Sequence, residues 1–141
     1  MTVSSVRALV VDDSATIRTF VKTALEHQGF EVTEAKSGFE ALKILPKERF
    51  NLIVTDVNMP DINGLELVKY VRKEEAHRGT PLIIISTDGR ERDRDRGMQL
   101  GATAYLVKPF KPEELIALVR KVLEKGINVA PLMASPAPKR S

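Results

Sequence analysis

The chain has 141 residues, 43% of them hydrophobic and 29% charged, with a formal net charge of +3. That size and mixture fit one globular domain, able to bury roughly two-thirds of its unfolded surface without staples. The absence of cysteine excludes disulfides and thiolate metal sites and agrees with a reducing, cytoplasmic setting.

Five Phe, two Tyr, no Trp and no basic stripe argue against direct nucleic-acid binding. No apolar run approaches the roughly 20 residues that cross a bilayer, and residues 1–7 lack a signal peptide's apolar core, so no membrane insertion is expected.

Val6 to Val11 reads as a buried strand, rich in Val and Leu. Ser14 then offers an N-cap, Ile17, Val21, Ala24 and Leu25 recur at helical spacing, and Gly29 stops the helix. Phe30 to Ala35 is a second strand; the polar Glu31, Thr33 and Glu34 mark it as an edge, with Val32 and Ala35 facing inward. Phe39, Leu42 and Leu45 mark a short helix ending before Pro46, and Asn51 to Thr55 is a third, wholly buried strand. Leu65, Val68 and Val71 form the stripe of the next helix, followed by a fourth buried strand from Pro81 to Ser86.

The helix from Arg90 to Leu100 is the loosest of the set. Its first seven residues are all charged, and Gly97 costs about 1 kcal/mol against Ala. Favourable pairs (Arg90 with Asp93, Glu91 with Arg94) are offset by like charges at i,i+4. Met98 and Leu100 are left as its anchors. Thr103 to Val107 is the fifth strand, again read as buried. The last helix opens at Pro112, carries Glu113 and Glu114 in its first turn, and shows Leu115, Leu118, Val119 and Val122 as its stripe.

Strand and helix alternate five times, which predicts right-handed crossovers and a parallel sheet: an α/β three-layer sandwich. The composition places the domain at residues 1–126, with the Ala/Pro-rich 127–141 as a flexible tail or the start of a linker.

In an open parallel sheet, ligands bind beyond the carboxyl ends of the strands. Asp12 and Asp13 follow the first strand, Asp56 the third, Ser86 and Thr87 the fourth, and Lys108 the fifth. Two unit charges about 4 Å apart repel by roughly 4 kcal/mol at an effective dielectric of 20. A cluster of three carboxylates therefore needs positive charge. Lys108 supplies one, and oxygen-only ligands point to Mg²⁺ for the rest. His27 and His77 have no second ligand at metal spacing and read as solvated, and no nucleotide-binding glycine motif is present.

The pattern Val-Val-Asp12-Asp13-Ser, Asp56-Val-Asn-Met-Pro60, Gly64, Ser86-Thr and Tyr105-Leu-Val-Lys108-Pro109-Phe resembles the response-regulator receiver family over residues 6–125. The resemblance implies a flavodoxin-like, five-stranded sheet of order 2-1-3-4-5 with five helices. It implies a phosphoryl group passed from a histidine kinase to Asp56, with Mg²⁺ held by Asp13, Asp56 and the Asn58 carbonyl, and with Asp12 acting through water. Lys108 and Ser86 would contact the phosphoryl oxygens, Ser86 and Tyr105 would form the switch, and the Lys108–Pro109 bond would be cis.

Two departures stand out. Ser86 replaces the commoner Thr and loses the β-branch that restricts χ1. Asn58 and Asp88 beside the acceptor predict a water-tolerant rim and a short phosphoryl lifetime. A haloacid-dehalogenase-type phosphatase, which also attacks through an Asp after a strand, needs a second Asp two residues on; Asn58 stands there. The expectation is therefore a signalling module rather than an enzyme. Its partners would be a sensor kinase and a downstream protein met around the fourth helix, fifth strand and fifth helix. It would be a stand-alone chemotaxis-type regulator or, alternatively, a receiver cut from a longer one.

Overall fold

A computed structural model of the chain describes residues 6–87 and 91–132, and the side chains within them except those of 91–93 and 125–132. Five strands, β1 (Val6–Val11), β2 (Phe30–Ala35), β3 (Leu52–Asp56), β4 (Leu82–Ser86) and β5 (Ala104–Val107), form one sheet of order β2-β1-β3-β4-β5. All the pairings are parallel. Five helices alternate with them: α1 (Ala15–Glu26), α2 (Gly38–Ile44), α3 (Gly64–Lys73), α4 (Glu91–Leu100) and α5 (Pro112–Leu132). The flavodoxin-like order and the three layers implied by the sequence are observed.

Alternate residues of each strand feed two cores. Ala8, Val10, Leu52, Val54, Ile83 and Ile85 pack under α1 and α5, against Val21, Leu25, Leu115, Val119 and Val122. Leu9, Val11, Ile53, Leu82 and Ile84 pack on the other face against Ala41, Leu45, Leu67, Val68 and Val71 of the α2–α3 side. The central strands are therefore apolar along their middles and turn polar only toward their ends, because both faces are covered. Ser14 caps α1 by accepting the Ile17 N–H at 3.3 Å, as its position predicts.

Four readings change. β5 is an edge strand with Tyr105, Leu106 and Val107 only half-buried, because it closes the sheet opposite β2. Helix α4 does not anchor through Met98, which is 41% exposed. It seats through Gly97, which is buried; a Cβ there would lie 2.8 Å from Ile84 Cδ1 and 3.6 Å from Leu65 Cδ2. The glycine that weakens the helix in isolation is what lets it approach the sheet. Residues 88–90 and the side chains of 91–93 lie outside the described residues, and the expected pairs Arg90–Asp93 and Glu91–Arg94 and the role of Asp88 lie there with them.

His77 is not solvated but 2% exposed, with Nε2 2.7 Å from the Leu45 carbonyl oxygen. The α3–β4 loop thus folds back over the end of α2, and no sequence spacing announces that. Finally, α5 continues past Gly126 to Leu132, since nothing in Ile127–Ala130 breaks a helix before Pro131.

Gly64 is fixed by the fold. A Cβ on it would stand 2.1 Å from the Asp56 carbonyl oxygen and 2.8 Å from Val57 Cα, both backbone atoms that cannot swing away. Gly64→Ala should therefore cost at least the upper end of the about 1–3 kcal/mol typical of overpacking. Urea denaturation measures it, and a midpoint equal to that of the unaltered chain would refute the close approach.

Candidate functional site

The site begins with register. Val11 pairs with Thr55 in the parallel β1–β3 ladder, so the next residues, Asp12 and Asp56, leave adjacent strands side by side. Both are buried, at 0% and 4% exposure, whereas Asp13 is exposed at the rim. One carboxylate oxygen from each of Asp12, Asp13 and Asp56 lies within 4.8 Å of the others. Lys108, just past β5, reaches across the sheet edge: Nζ stands 3.2 Å from Asp56 Oδ1 and 3.4 Å from Asp12 Oδ2. Its backbone N–H donates to the Ser86 carbonyl at 2.7 Å, which joins the ends of β4 and β5. The Lys108–Pro109 peptide is cis.

Asp12 is already engaged on both oxygens. Oδ1 accepts the Ser14 N–H at 2.9 Å, and Oδ2 faces Lys108. Burial raises the Asp56 carboxyl above its ordinary range, and the neighbouring Asp12 charge raises it further, against the lowering pull of Lys108 and of the Val57 N–H. Three carboxylates and one ammonium leave a net charge of −2 in one pocket (−3 + 1). That donor set, all oxygen and two charges short of neutral, fits a hard divalent cation such as Mg²⁺.

The remaining predicted residues surround this centre. Ser86 ends β4 fully buried, and Asn58 is exposed in the loop two residues beyond Asp56. Tyr105 pairs with Ile84 on β5 and is half-buried, with the Arg94 guanidinium 5.9 Å from its ring centre.

Several supporting residues have no sequence signal. Arg18 donates to the Asp12 carbonyl at 2.8 Å and to Glu34 Oε1 at 3.0 Å, tying α1 to the site and to β2. Asp61, in the loop after Asp56, accepts the Phe39 N–H at 2.9 Å and the Gly38 N–H at 3.4 Å from α2. Its carboxyl lies below the ordinary range: burial pushes it up, but the N–H groups of Phe39, Ile62, Asp61 itself and Gly38 outweigh that.

Comparison with known proteins places this geometry. The family model described as "Response regulator receiver domain" matches residues 8–120. A chemotaxis protein CheY homolog of Campylobacter jejuni is 41% identical over 122 residues, covering 85% of this chain and 94% of that one. The probable transcriptional regulator ycf27 of Pyropia yezoensis is 39% identical over 130 residues; the match covers 92% of this chain but only 52% of that relative, so the chain spans about half its length. The solved structure of chemotaxis response regulator CheY4 of Vibrio cholerae superposes with a TM-score of 0.80 at 40% identity, covering 84% of this chain and 99% of that one.

The raised Asp56 carboxyl has a thermodynamic sign. A group whose folded pKa exceeds its unfolded one contributes stability that is fully present below the unfolded value and is lost as pH rises through the folded value. Without metal, burial and the Asp12 charge therefore make the ionised form of Asp56 a burden on the fold. Asp56→Asn should raise Tm by roughly 4 °C, the shift that about 1 kcal/mol gives at this size. The gap should close on acidification. A variant that melts lower than the unaltered chain at pH 7 would contradict this charge balance.

Proposed function

The chain belongs to the response regulator receiver domain family, and from that premise we propose that it is a phosphorylation switch whose acceptor is Asp56. Receiver domains are signalling modules rather than classical enzymes. They take a phosphoryl group from histidine kinases and generally use Mg²⁺ at an acidic pocket. The observation that carries the reading here is Lys108 Nζ placed between Asp56 and Asp12 at 3.2 and 3.4 Å, beside a third carboxylate.

The proposed roles follow from that geometry. Asp13, Asp56 and the Asn58 carbonyl hold the cation, and Asp12 acts through water because both its oxygens are engaged. Bound Mg²⁺ would supply charge neutralisation for the transferring group. Asp56 Oδ2 is the nucleophile: it forms the bond to phosphorus as the bond to the donor breaks, in line, so that positioning and charge carry the step. Lys108 meets the new phosphoryl oxygens and exchanges one anionic partner for another. The Ser86 hydroxyl turns toward the phosphoryl group and donates to it. Tyr105 moves into the space this opens, and α4 follows through its glycine seat. The phosphoryl group shifts this equilibrium by its differential contact with Ser86 in the two states.

The output surface we propose is α4, β5 and α5, where Arg94, Asp95 and Arg96 are exposed, and the partner a protein. Similarity to the CheY homolog supports a stand-alone chemotaxis-type regulator in the cytoplasm; no helix among the described residues is long and apolar enough to cross a membrane. The second reading, a receiver within a longer regulator, is supported by the half-length match to the ycf27 protein. Under either, we take residues 1–126 as the receiver and 127–141 as a tail or linker whose first six residues extend helix α5.

Acetyl phosphate with Mg²⁺ should label the chain with one phosphoryl group at Asp56, and Asp56→Asn should take none. Many turnovers per chain would instead indicate a phosphatase. With Asn58 at the rim, the label should decay over seconds to minutes; persistence for hours would exclude the water-tolerant rim. For the output surface, beryllofluoride with Mg²⁺ should increase recovery of a binding partner over the Asp56→Asn control. Equal recovery would remove that partner from the switch.

A further inference from the structure

The loop between β3 and α3 carries Asn58, and its conformation is held from two sides. On the α3 side, the Gly64 N–H donates to the Val57 carbonyl at 2.8 Å, and the Met59 N–H reaches the same oxygen at 3.2 Å. Met59 itself is buried in the core under α2 and α3. On the other side the loop grips α2, which is a separate element of the sheet's opposite half. Asp61 Oδ2 accepts the Phe39 N–H and Oδ1 the Gly38 N–H. Ile62 lies so close to Gly38 that a Cβ on the glycine would meet Ile62 Cβ at 2.7 Å and the Ile62 carbonyl oxygen at 2.8 Å.

Helix α2 does not need Asp61 for its own sake. Ser37 already caps it by accepting the Glu40 N–H at 3.0 Å, and Glu40 Oε1 accepts the N–H of Lys36, the residue before the cap, at 2.7 Å. Of the two N–H groups that Asp61 takes, that of Phe39 lies in the exposed first turn, where water can replace it, while that of Gly38 is buried against Ile62. What Asp61 adds is therefore a tie between elements: the phosphoacceptor loop is lashed to the start of α2, three residues beyond Asn58.

We propose that Asp61 is a positioning residue for the phosphorylation site, holding the loop so that the Asn58 carbonyl stays where a cation beside Asp56 requires it. The proposal rests on the receiver reading above and goes beyond it, since Asp61 is neither a ligand nor part of the Ser86–Tyr105 route. Groups that orient ligands without touching the metal commonly control affinity by about 10- to 100-fold when removed. Asp61 acts at one remove more, through the backbone, so the lower end applies. The cost to overall folding is small, because the carboxylate is exposed and α2 keeps its own cap.

The test uses the full chain and its Asp61→Ala and Asp61→Asn variants. Mg²⁺ affinity is read by NMR titration of the amides at residues 12, 13 and 56. Hydrogen exchange at residues 57–62 is read without metal or phosphate. Asp61→Ala should weaken Mg²⁺ by about tenfold and speed exchange in the loop and at the Gly38 and Phe39 amides it releases, while leaving exchange in the rest of α2 unchanged and the denaturation midpoint nearly so. Asp61→Asn, which keeps an acceptor oxygen, should recover most of the affinity. Labelling by acetyl phosphate should slow at low Mg²⁺ and return at saturation. Unchanged Mg²⁺ affinity in Asp61→Ala would overturn the proposal while leaving the receiver reading intact. Equal losses in Asp61→Ala and Asp61→Asn would overturn it too, since the acceptor oxygen would then not matter. An unaltered chain that bound no Mg²⁺ and took no label would overturn the receiver reading, and this inference with it.

Discussion

The structure is organised around two buried carboxylates, Asp12 and Asp56, that cannot both be ionised side by side without an outside charge. They are neighbours because β1 and β3 are neighbours, in a register that ends the two strands together. Lys108 must come from β5, two strands away from β3, and cross the end of β4 to reach them. The residue it crosses is Ser86, small and fully buried, whose carbonyl binds the lysine's own N–H. In the proposed switch the same serine is a spacer before phosphorylation and a donor after it. Breaking a buried ion pair by removing one partner is far costlier than losing a surface one, so strand order, register and the length of a lysine side chain are all bound to this one contact.

The sheet and the site's central residues were legible in the sequence because each leaves a local trace. A strand covered on both faces is apolar throughout, and a polar residue after such a run marks the sheet edge. Val6–Val11 and Phe30–Ala35 match their predicted bounds, and β3, β4 and β5 differ by a residue or so. What stayed hidden depends on distance along the chain. His77 reads as solvated because it stands among charged residues, yet it folds onto Leu45, 32 positions earlier. Gly97 reads as a flaw in a helix because propensity describes an isolated helix, whereas the fold uses the missing Cβ against Ile84. Asp61 drew no reading from the sequence; its partners lie 22 and 23 positions back, at the start of another helix. No periodicity encodes contacts of that kind.

The site's response to ligand follows from its charge. With a net −2 (three carboxylates against one ammonium) the pocket is held in a state it would leave if it could, and burial of Asp56 deepens the imbalance. A divalent cation brings the pocket to neutrality. In the proposed switch, a phosphoryl group on Asp56 would then replace one buried carboxylate with a larger anion whose oxygens would extend toward Lys108 and Ser86. Neither event needs the sheet to move, since β1, β3 and β4 are buried on both faces and close-packed. The change must therefore go to the least constrained neighbours. On one side that is the β3–α3 loop, tied to α2 through Asp61. On the other it is β5 and α4, where Tyr105 is half-buried and α4 touches the sheet through a glycine while Arg94, Asp95 and Arg96 stand in solvent. In the proposed switch, a rigid centre flanked by one tethered loop and one lightly seated helix would channel a local change of charge toward the helix. The tether matters for that reason: it removes one of the two ways the strain could dissipate.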